Sequence, residues 1–254
     1  MSNVGIDPVP DIQRRQQDQY VYPYHHIPFL DERGQGRRSR MLDWGFEYLL
    51  YNHKVVEIIN ALTPNSVLDV GCGDGYLLGQ LPDTIQKRVG VDINARALGF
   101  AKAFFPNVEF KNCDVSEIEE TFDVVCAIEV IEHIPDDSVA NFLALISARV
   151  SPGGSLIISV PTTNEPLNSK HFRHYDLPLL EAHLSSLPSD FMIVKTQYYY
   201  RKTLWERIYR KLTKNLLIQG EIPLMRRFVW QNAKNQAGKA TSANGLHLIA
   251  ILRK

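Results

Sequence analysis

The sequence predicts an α/β fold in which a mostly parallel sheet is covered by helices on both faces. From residue 65 onward, short runs rich in β-branched residues alternate with longer helix-like stretches, a pattern typical of such sheets. The first of these runs leads into a glycine-rich turn and then a helix-like stretch, which is the expected order in a strand–turn–helix unit. The chain has 254 residues, so we expect one domain with additional segments.

Seven strands are predicted from their apolar and β-branched residues, and four helices from apolar spacing. The predicted strands are 66–70, 88–92, 108–111, 122–128, 155–160, 192–199 and 246–252. The predicted helices are at about 76–81, 95–105, 137–150 and 177–187. A Ser-Pro-Gly-Gly turn at 151–154 is expected to end the third helix.

Two segments lie outside this alternation. Residues 1–53 are predicted to form an N-terminal arm and cap, with an aromatic and histidine cluster at 20–26 and an amphipathic stretch at 44–51. The main domain is then expected at 54–254. Within it, residues 201–244 interrupt the sheet before its last strand and predict an inserted helical lid, because connections of this length usually carry a binding surface.

The start of this lid, at 201–218, predicts a basic amphipathic helix. Its apolar residues are Leu204, Trp205, Ile208, Leu212 and Leu216, and its basic residues are Arg201, Lys202, Arg207, Arg210, Lys211 and Lys214. Such a helix suits contact with an anionic surface or with a phosphate-bearing acceptor. The alternative is a helix that packs on its own domain and exposes its basic face to solvent.

Composition excludes several classes of protein. Basic and acidic residues balance at 28 each, and apolar residues make up 44% of the chain, so neither disorder nor a general affinity for nucleic acid is indicated. The polar N-terminus shows no apolar run typical of a signal peptide or a membrane span, and three cysteines suit a reducing compartment. We therefore expect a cytoplasmic protein, whose oligomeric state the sequence leaves open.

The glycine-rich turn comprises Gly71, Gly73 and Gly75 and directly follows Asp69. Glycine allows the tight bend and the close approach of a ligand to the main chain. A carboxylate beside the turn is unfavourable for a pyrophosphate but attracts a ligand that carries an ammonium and a sulfonium. This favours S-adenosylmethionine over NAD, for which the third glycine also comes one residue early.

Further carboxylates follow the next two predicted strands. Asp92 lies about 20 residues after the glycines, as a ribose-binding carboxylate should. Asp114 and its neighbour Cys113 follow the third strand, where a carboxylate and backbone N–H groups are able to bind an adenine edge. Acidic groups at three successive strand ends are a more specific indication of a cofactor site than the glycines alone.

Over about residues 65–160, this pattern resembles the class I S-adenosylmethionine-dependent methyltransferases, and the last predicted strand also matches. The resemblance implies a Rossmann-like sheet of seven strands whose last strand is antiparallel. It also implies that Asp69 and the glycine turn hold the amino-acid part of the donor, that Asp92 holds its ribose, and that Cys113 and Asp114 hold its adenine. The implied cofactor-binding set is Asp69, Gly71, Cys72, Gly73, Gly75, Asp92, Ile93, Cys113, Asp114 and Glu129.

Candidate acceptor-side residues follow the fourth strand. If the chain turns helical after residue 128, Glu129, Glu132 and His133 are spaced to share one helix face, directed into the cleft at the carboxyl end of the sheet. His171 and His174 follow the fifth strand and are expected to reach the same cleft.

Two chemical interpretations of this group remain open. In one, Glu129, Glu132, His133 and a histidine of the later loop, such as His171, bind Mg²⁺, Mn²⁺ or Zn²⁺, which lowers the pKa of an acceptor hydroxyl. This set resembles the metal sites of small-RNA 2′-O-methyltransferases and of ubiquinone-pathway O-methyltransferases. In the other, His133 or His171 is a general base, with Glu129 as a further catalytic residue. A structural alternative has Glu129 lining the cofactor and the others capping a helix or lying on a loop.

The predicted function is therefore methylation with S-adenosylmethionine as the donor. An oxygen acceptor is favoured, because methylation of a hydroxyl usually needs a base or a metal ion and the nearby histidines could provide either. The acceptor is expected to be a small molecule, a sugar or a lipid-linked metabolite. A metal-assisted RNA 2′-O-methyltransferase is the nearest alternative, disfavoured by the zero net charge. An NAD-dependent oxidoreductase and a non-catalytic cofactor-binding module are alternatives from other classes.

Overall fold

A computed structural model describes residues 28–30, 36–38, 42–213 and 222–254 of the chain. The predicted cluster at 20–26 and the end of the basic helix at 214–218 lie outside these residues. The strands of the described part are β1 (Pro28–Leu30), β2 (Gly36–Arg38), β3 (Ser66–Val70), β4 (Lys87–Val91), β5 (Glu109–Lys111), β6 (Phe122–Ile128), β7 (Val150–Pro161), β8 (Met192–Tyr199) and β9 (His247–Arg253).

Seven α-helices occur in the described part of the chain. They are α1 (Leu42–Leu62), α2 (Tyr76–Gly79), α3 (Ala95–Phe104), α4 (Val139–Ala148), α5 (Leu177–Leu184), α6 (Leu204–Thr213) and α7 (Pro223–Ala237). Short 3₁₀-helices follow β5 at Val115–Glu117 and β6 at Ile131–His133. None of these helices is long and apolar enough to cross a bilayer.

Strands β3 to β9 form one sheet in the order β5-β4-β3-β6-β7-β9-β8. The pairs from β5 to β7 are parallel, whereas β9 is antiparallel to both of its neighbours, β7 and β8. The predicted α/β fold is confirmed, as is the antiparallel last strand that the family resemblance implied. Strands β1 and β2 form a separate antiparallel pair.

Apolar side chains on the two faces of the sheet form two cores. Successive side chains of a strand point to opposite faces, so Val67 of β3 joins one core and Leu68 joins the other. Helices α1, α2, α3, α6 and α7 contribute to the first core, and α4 and α5 to the second. The predicted helices on both faces are therefore present.

The prediction that a turn at 151–154 ends the third helix is wrong. Strand β7 already begins at Val150, and the Ser-Pro-Gly-Gly segment lies within it. The register against β6 shifts between Phe122 and Val124, and Gly153 has a φ of 73°. The turn-forming residues therefore produce an irregularity inside a paired strand, and helix α4 ends earlier than predicted, at Ala148.

Helix α1 packs against the lid. The ring of Phe46 lies 5.9 Å from the rings of both Tyr209 in α6 and Trp230 in α7. The predicted domain boundary at residue 53 falls inside α1. The N-terminal helix and the two lid helices thus cover the same face of the sheet.

Helix α6 buries a different side from the apolar one that the sequence indicated. Its buried residues include Glu206 and Tyr209, whereas Leu204 is 68% and Trp205 is 42% exposed. Trp205 contacts Phe228 of α7 edge to face at 5.1 Å. Much of the apolar side of α6 consequently remains at the surface of the lid.

Candidate active site

The glycine-rich turn lies at the carboxyl end of β3 and is tied to the neighbouring strand β4. The N–H groups of Gly71 and Cys72 donate to the carbonyl oxygen of Val91 over 2.8 and 3.1 Å. Helix α2 begins immediately after Gly75. The turn therefore has the strand-to-helix setting predicted for it.

Packing as well as bending requires glycine in this turn. Gly71 and Gly75 both have a φ of 75°, a region that side chains disfavour. A Cβ on Gly71 would lie 2.7 Å from Cγ2 of Val130, and one on Gly75 would lie 2.5 Å from Cζ of Phe110. The side chain of Val130, which follows β6, and that of Phe110 in β5 thus occupy the space that the two missing Cβ atoms leave.

Three carboxylates surround the turn. Asp69 is only 3% exposed, and its burial together with repulsion from Asp92 and Asp74 raises its pKa to about 8. Burial also raises the pKa of Asp92. Hydrogen bonds that Asp92 accepts from the backbone N–H groups of Asn94 and Gly73 lower its pKa, but burial has the larger effect. Such a group of acids favours a ligand with positive charge.

Asp92 also organises the turn. Its Oδ2 accepts a hydrogen bond from the N–H of Gly73 at 2.8 Å, and its Oδ1 accepts one from the N–H of Asn94 at 2.7 Å. Each carboxylate oxygen keeps further acceptor capacity. Asp92 thereby joins the ends of β3 and β4 and remains able to accept hydroxyl groups of a ligand.

Three further predicted donor-binding residues lie at the ends of β4 and β5: Ile93, and the predicted adenine contacts Cys113 and Asp114. Ile93 is 62% exposed and Cys113 is half-buried. Asp114 caps the 3₁₀-helix after β5, with Oδ1 accepting the N–H of Ser116 at 2.9 Å and Glu117 completing a reciprocal capping box. Capping this 3₁₀-helix is a structural reason for an aspartate at position 114, in addition to its predicted contact with the donor.

The prediction that Glu129, Glu132 and His133 share a helix face is wrong. Glu129 has a φ of 56°, outside the helical range, and its N–H donates to the carbonyl of Ser159 over 2.9 Å. Only Ile131–His133 forms a short 3₁₀-helix. Because Glu129 is still hydrogen-bonded to β7 after the end of β6, the chain does not turn helical at residue 129, and the helical spacing of the three residues has no structural counterpart.

Glu129 faces a buried histidine that the sequence analysis did not identify. His247, at the start of β9, has Nδ1 3.1 Å from Oε1 of Glu129 and Nε2 3.1 Å from Oε1 of Glu47. Burial alone would lower the pKa of His247, but the two carboxylates raise it to about 10. The ring of Tyr51 lies 4.4 Å from the imidazole, so a protonated His247 connects α1 with the end of β6.

Glu132 is completely buried, and neither of its carboxylate oxygens has a hydrogen-bond partner in the described part of the chain. Burial and the charge of Glu129 raise its pKa well above the usual range. An unpaired buried carboxylate is costly unless a cation compensates it. This observation points to a positively charged ligand.

Two histidines face Glu132 with ring nitrogens available for a cation. Nδ1 of His133 donates to the carbonyl of Lys170 at 2.9 Å, which leaves the lone pair of Nε2 free, 3.7 Å from Oε1 of Glu132. Burial lowers the pKa of His133, so the ring is neutral at pH 7. A backbone carbonyl that fixes the tautomer in this way is typical of histidines that bind metals.

His171 is oriented in the same manner by His174. Nδ1 of His174 donates to the carbonyl of Glu165 at 3.1 Å, and its Nε2 accepts from Nδ1 of His171 at 2.8 Å. Nε2 of His171 then carries a free lone pair. Burial, with repulsion from His133 and His174, lowers the pKa of His171 to about 4, so this ring is also neutral at pH 7.

Ligand atoms of Glu132, His133 and His171 all lie within 4.8 Å of one another. One carboxylate and two imidazoles form a donor set that suits a divalent cation. The structure does not bring Glu129 into this cluster, because its Oε1 is engaged by the hydroxyl of Ser159 at 2.6 Å and by His247. Three of the four predicted metal ligands are therefore together.

Arg173 holds the two halves of the cluster in place. Its guanidinium donates to the carbonyls of Ile131 and Ile134 over 2.9 and 2.6 Å, and the neighbouring N–H of Phe172 donates to the carbonyl of Glu132 over 2.8 Å. The loop after β7 is thereby attached to the turn after β6. No sequence spacing identified this role, since it depends on contacts between distant segments.

Comparison with known proteins identifies the family of the chain. The family model of a methyltransferase domain matches residues 38–193. A probable S-adenosylmethionine-dependent methyltransferase of Mycolicibacterium smegmatis is 28% identical over 138 residues, which cover 50% of this chain and 53% of that protein. The mitochondrial ubiquinone biosynthesis O-methyltransferase of Homo sapiens is 38% identical over 104 residues, covering 37% of this chain and 28% of that protein.

The fold is also found in solved structures. A methyltransferase from Archaeoglobus fulgidus, described as dependent on S-adenosylmethionine, superposes with a TM-score of 0.58 at 18% identity, covering 84% of this chain and 98% of the other. At this identity the likeness concerns the fold alone. The chain spans about half the length, or less, of the two curated relatives described above.

Proposed function

The chain belongs to the class I S-adenosylmethionine-dependent methyltransferases, and we propose that it methylates a hydroxyl group of a small-molecule acceptor with the help of a divalent metal ion. The observation that carries this proposal is the buried, unpaired carboxylate of Glu132 facing two neutral histidines. The O-methyltransferase named among its relatives supports an oxygen acceptor. Family membership also excludes the alternative of an NAD-dependent oxidoreductase.

On the donor side, the chain supplies position and charge. S-adenosylmethionine, when bound, supplies the methyl group on a sulfonium that is already a good leaving group. Asp69 and the glycine turn hold its amino-acid part, Asp92 accepts its ribose hydroxyls, and Cys113 and Asp114 contact the adenine. Methyl transfer then depends mainly on holding the two reacting atoms in line and excluding water.

On the acceptor side, Glu132, His133 and His171 would hold the metal ion. When bound there, a divalent cation would supply the Lewis acidity that lowers the pKa of an acceptor hydroxyl. Arg173 keeps the ligand-bearing segments attached to each other, and the carbonyls of Lys170 and Glu165 keep the rings in the required tautomers. Glu129 is ion-paired with His247 and accepts the hydroxyl of Ser159, so it takes no part in metal binding.

Chelation distinguishes this proposal from general-base catalysis by His133 or His171. Transfer of labelled methyl to a panel of phenols, alcohols and amines is measured before and after EDTA treatment, and again after addition of Mg²⁺, Mn²⁺ or Zn²⁺. We expect O-methylated product, loss of at least about 90% of the rate on chelation, and recovery with one of the metals. A rate that EDTA leaves intact would refute the metal role, and exclusive methylation of nitrogen would refute the oxygen acceptor.

A further inference from the structure

A cavity of about 630 Å³ lies between the lid and the end of the sheet. The beginning of α6, the side of α7 and the loop after β7 line it, together with residues just before β9. Its volume is within the range of small-molecule sites, which is about 300–1,000 Å³. The donor-binding and metal-binding residues described above are not part of its lining.

The lining carries an excess of positive charge. Its charged residues are Glu165, Arg201, Lys202 and Arg207. Glu165 and Lys202 form an ion pair with each other and neutralise one another. Arg201 and Arg207 form no ion pair with any residue in the described part of the chain, and the guanidinium of Arg201 donates only to the neutral amide of Gln236. Two positive charges therefore remain without a carboxylate partner.

Apolar surface lies beside these two guanidinium groups. Leu204 and Trp205 line the same cavity, and both side chains remain largely accessible. A ligand with an oxyanion and an adjoining apolar group would find complementary surfaces for both parts. The planar fork of arginine suits phosphate in particular, because it is able to donate two parallel hydrogen bonds.

Two chains of contacts connect this cavity with the acceptor side of the active site. The carbonyl of Glu165 fixes His174, which in turn orients His171. Lys202 lies 3.6 Å from Oε2 of Glu47, the carboxylate that pairs with His247. The cavity is thus linked through Glu165 to His171 of the proposed metal site, and through Lys202 to the pair of Glu47 and His247.

We propose that this cavity binds a phosphate group of the methyl acceptor through Arg201 and Arg207, with an adjoining apolar part of the acceptor on Leu204 and Trp205. The proposal rests on the proposed function, which it deepens by naming the acceptor class. A phosphate monoester carries a charge of about −2 at neutral pH, and this charge matches the two unpaired guanidinium groups. The phosphate belongs to a water-soluble metabolite or to a lipid headgroup, since the two present the same chemistry to the cavity.

Equilibrium binding tests the proposal without turnover. Phenyl phosphate is titrated into the full chain by calorimetry, with phenol as the uncharged comparison. We expect saturable binding of phenyl phosphate and none of phenol over the same range. Arg207→Gln and Arg201→Gln should each weaken binding by about tenfold or more, because each removes a charge-assisted contact.

Arg227→Gln is the matched control, since Arg227 is an exposed arginine of the same lid outside the cavity. It should change the affinity for phenyl phosphate by less than about twofold. All variants should keep the affinity of the wild type for S-adenosylhomocysteine, which shows that they are folded. Equal losses in Arg227→Gln and Arg207→Gln, or no binding of phenyl phosphate at millimolar concentration, would overturn the proposal.

A second arm separates the two sources of phosphate. The fraction of protein that sediments with phosphatidylcholine vesicles containing phosphatidic acid is measured. If the acceptor phosphate is on a lipid, the wild type should sediment and the Arg201→Gln and Arg207→Gln variants should sediment less. If it is on a water-soluble metabolite, the wild type should not sediment with the vesicles. Failure of the proposed function can be distinguished from failure of this phosphate-binding proposal. In the first case O-methylation would be missing or insensitive to chelator, while the chain would still bind phenyl phosphate.

Discussion

Glu132→Gln is expected to lower methyl transfer by about 100-fold or more without changing the affinity for S-adenosylhomocysteine. The substitution keeps the shape of the side chain but replaces a charged metal ligand with a neutral amide, and carboxylates are the stronger ligands for hard divalent cations. The residue is fully buried beside Glu129, so the loss of repulsion should leave thermal stability unchanged or higher. Labelled-methyl turnover, calorimetry and thermal denaturation measure the three quantities.

Glu181→Gln provides the control, because Glu181 is an exposed carboxylate on α5, away from the cluster. It should leave turnover within about twofold of the wild type. Manganese binding gives an independent readout, which should weaken in Glu132→Gln and persist in Glu181→Gln. Full turnover in Glu132→Gln would contradict the assignment of this residue to a metal site.

Asp92→Ala is expected to weaken binding of the donor by about 100-fold. The carboxylate is predicted to accept the ribose hydroxyls, and hydrogen bonds to a charged group contribute about 1.5–3 kcal/mol each. The structure adds a second reason, since Asp92 also holds the N–H of Gly73 and thus the shape of the glycine turn. Calorimetric titration with S-adenosylmethionine measures the loss.

Two comparisons show which of these reasons applies. Asp92→Asn keeps one carbonyl oxygen and should cause a smaller loss than Asp92→Ala, because part of the hydrogen bonding remains. Asp190→Ala removes an exposed carboxylate between α5 and β8 and should have no effect on donor binding. An affinity of Asp92→Ala equal to that of the wild type would remove Asp92 from the donor site.

Local sequence pattern was sufficient to predict most of the sheet and the strand-to-helix setting of the glycine turn. The bounds of β3, β6 and β8 agree with the prediction. In β3 and β6 the signal is a run of apolar residues buried on both faces. In β8, which is largely exposed, the signal is its β-branched and aromatic residues. The glycine turn has a comparable signal, since strain and close packing at Gly71 and Gly75 restrict the residues that fit. The strands and the strand-to-helix turn can therefore be recognised from local sequence, although the side chains packed against the two glycines, Val130 and Phe110, come from later segments.

The acceptor half depends on contacts between distant segments and was only partly predictable. Helical spacing placed Glu129 with Glu132, but pairing with Ser159 of β7 turns the chain differently and directs Glu129 to His247. Neither His247 nor Arg173 has a local pattern that reveals its partners. A histidine opening an otherwise apolar strand was the only available signal for His247.

The central claim is that carboxylates at the strand ends bind the donor as a cation, and its pH dependence tests that claim most directly. Burial and the neighbouring acids raise the pKa of Asp69 to about 8, so a cationic donor that binds its carboxylate form should bind more tightly as the pH rises towards that value. Calorimetry with S-adenosylmethionine between pH 6 and 7.5 should show affinity rising by up to about tenfold per pH unit, and Asp69→Asn should abolish that rise. Affinity independent of pH in the wild type, or no binding of S-adenosylmethionine, would contradict the account.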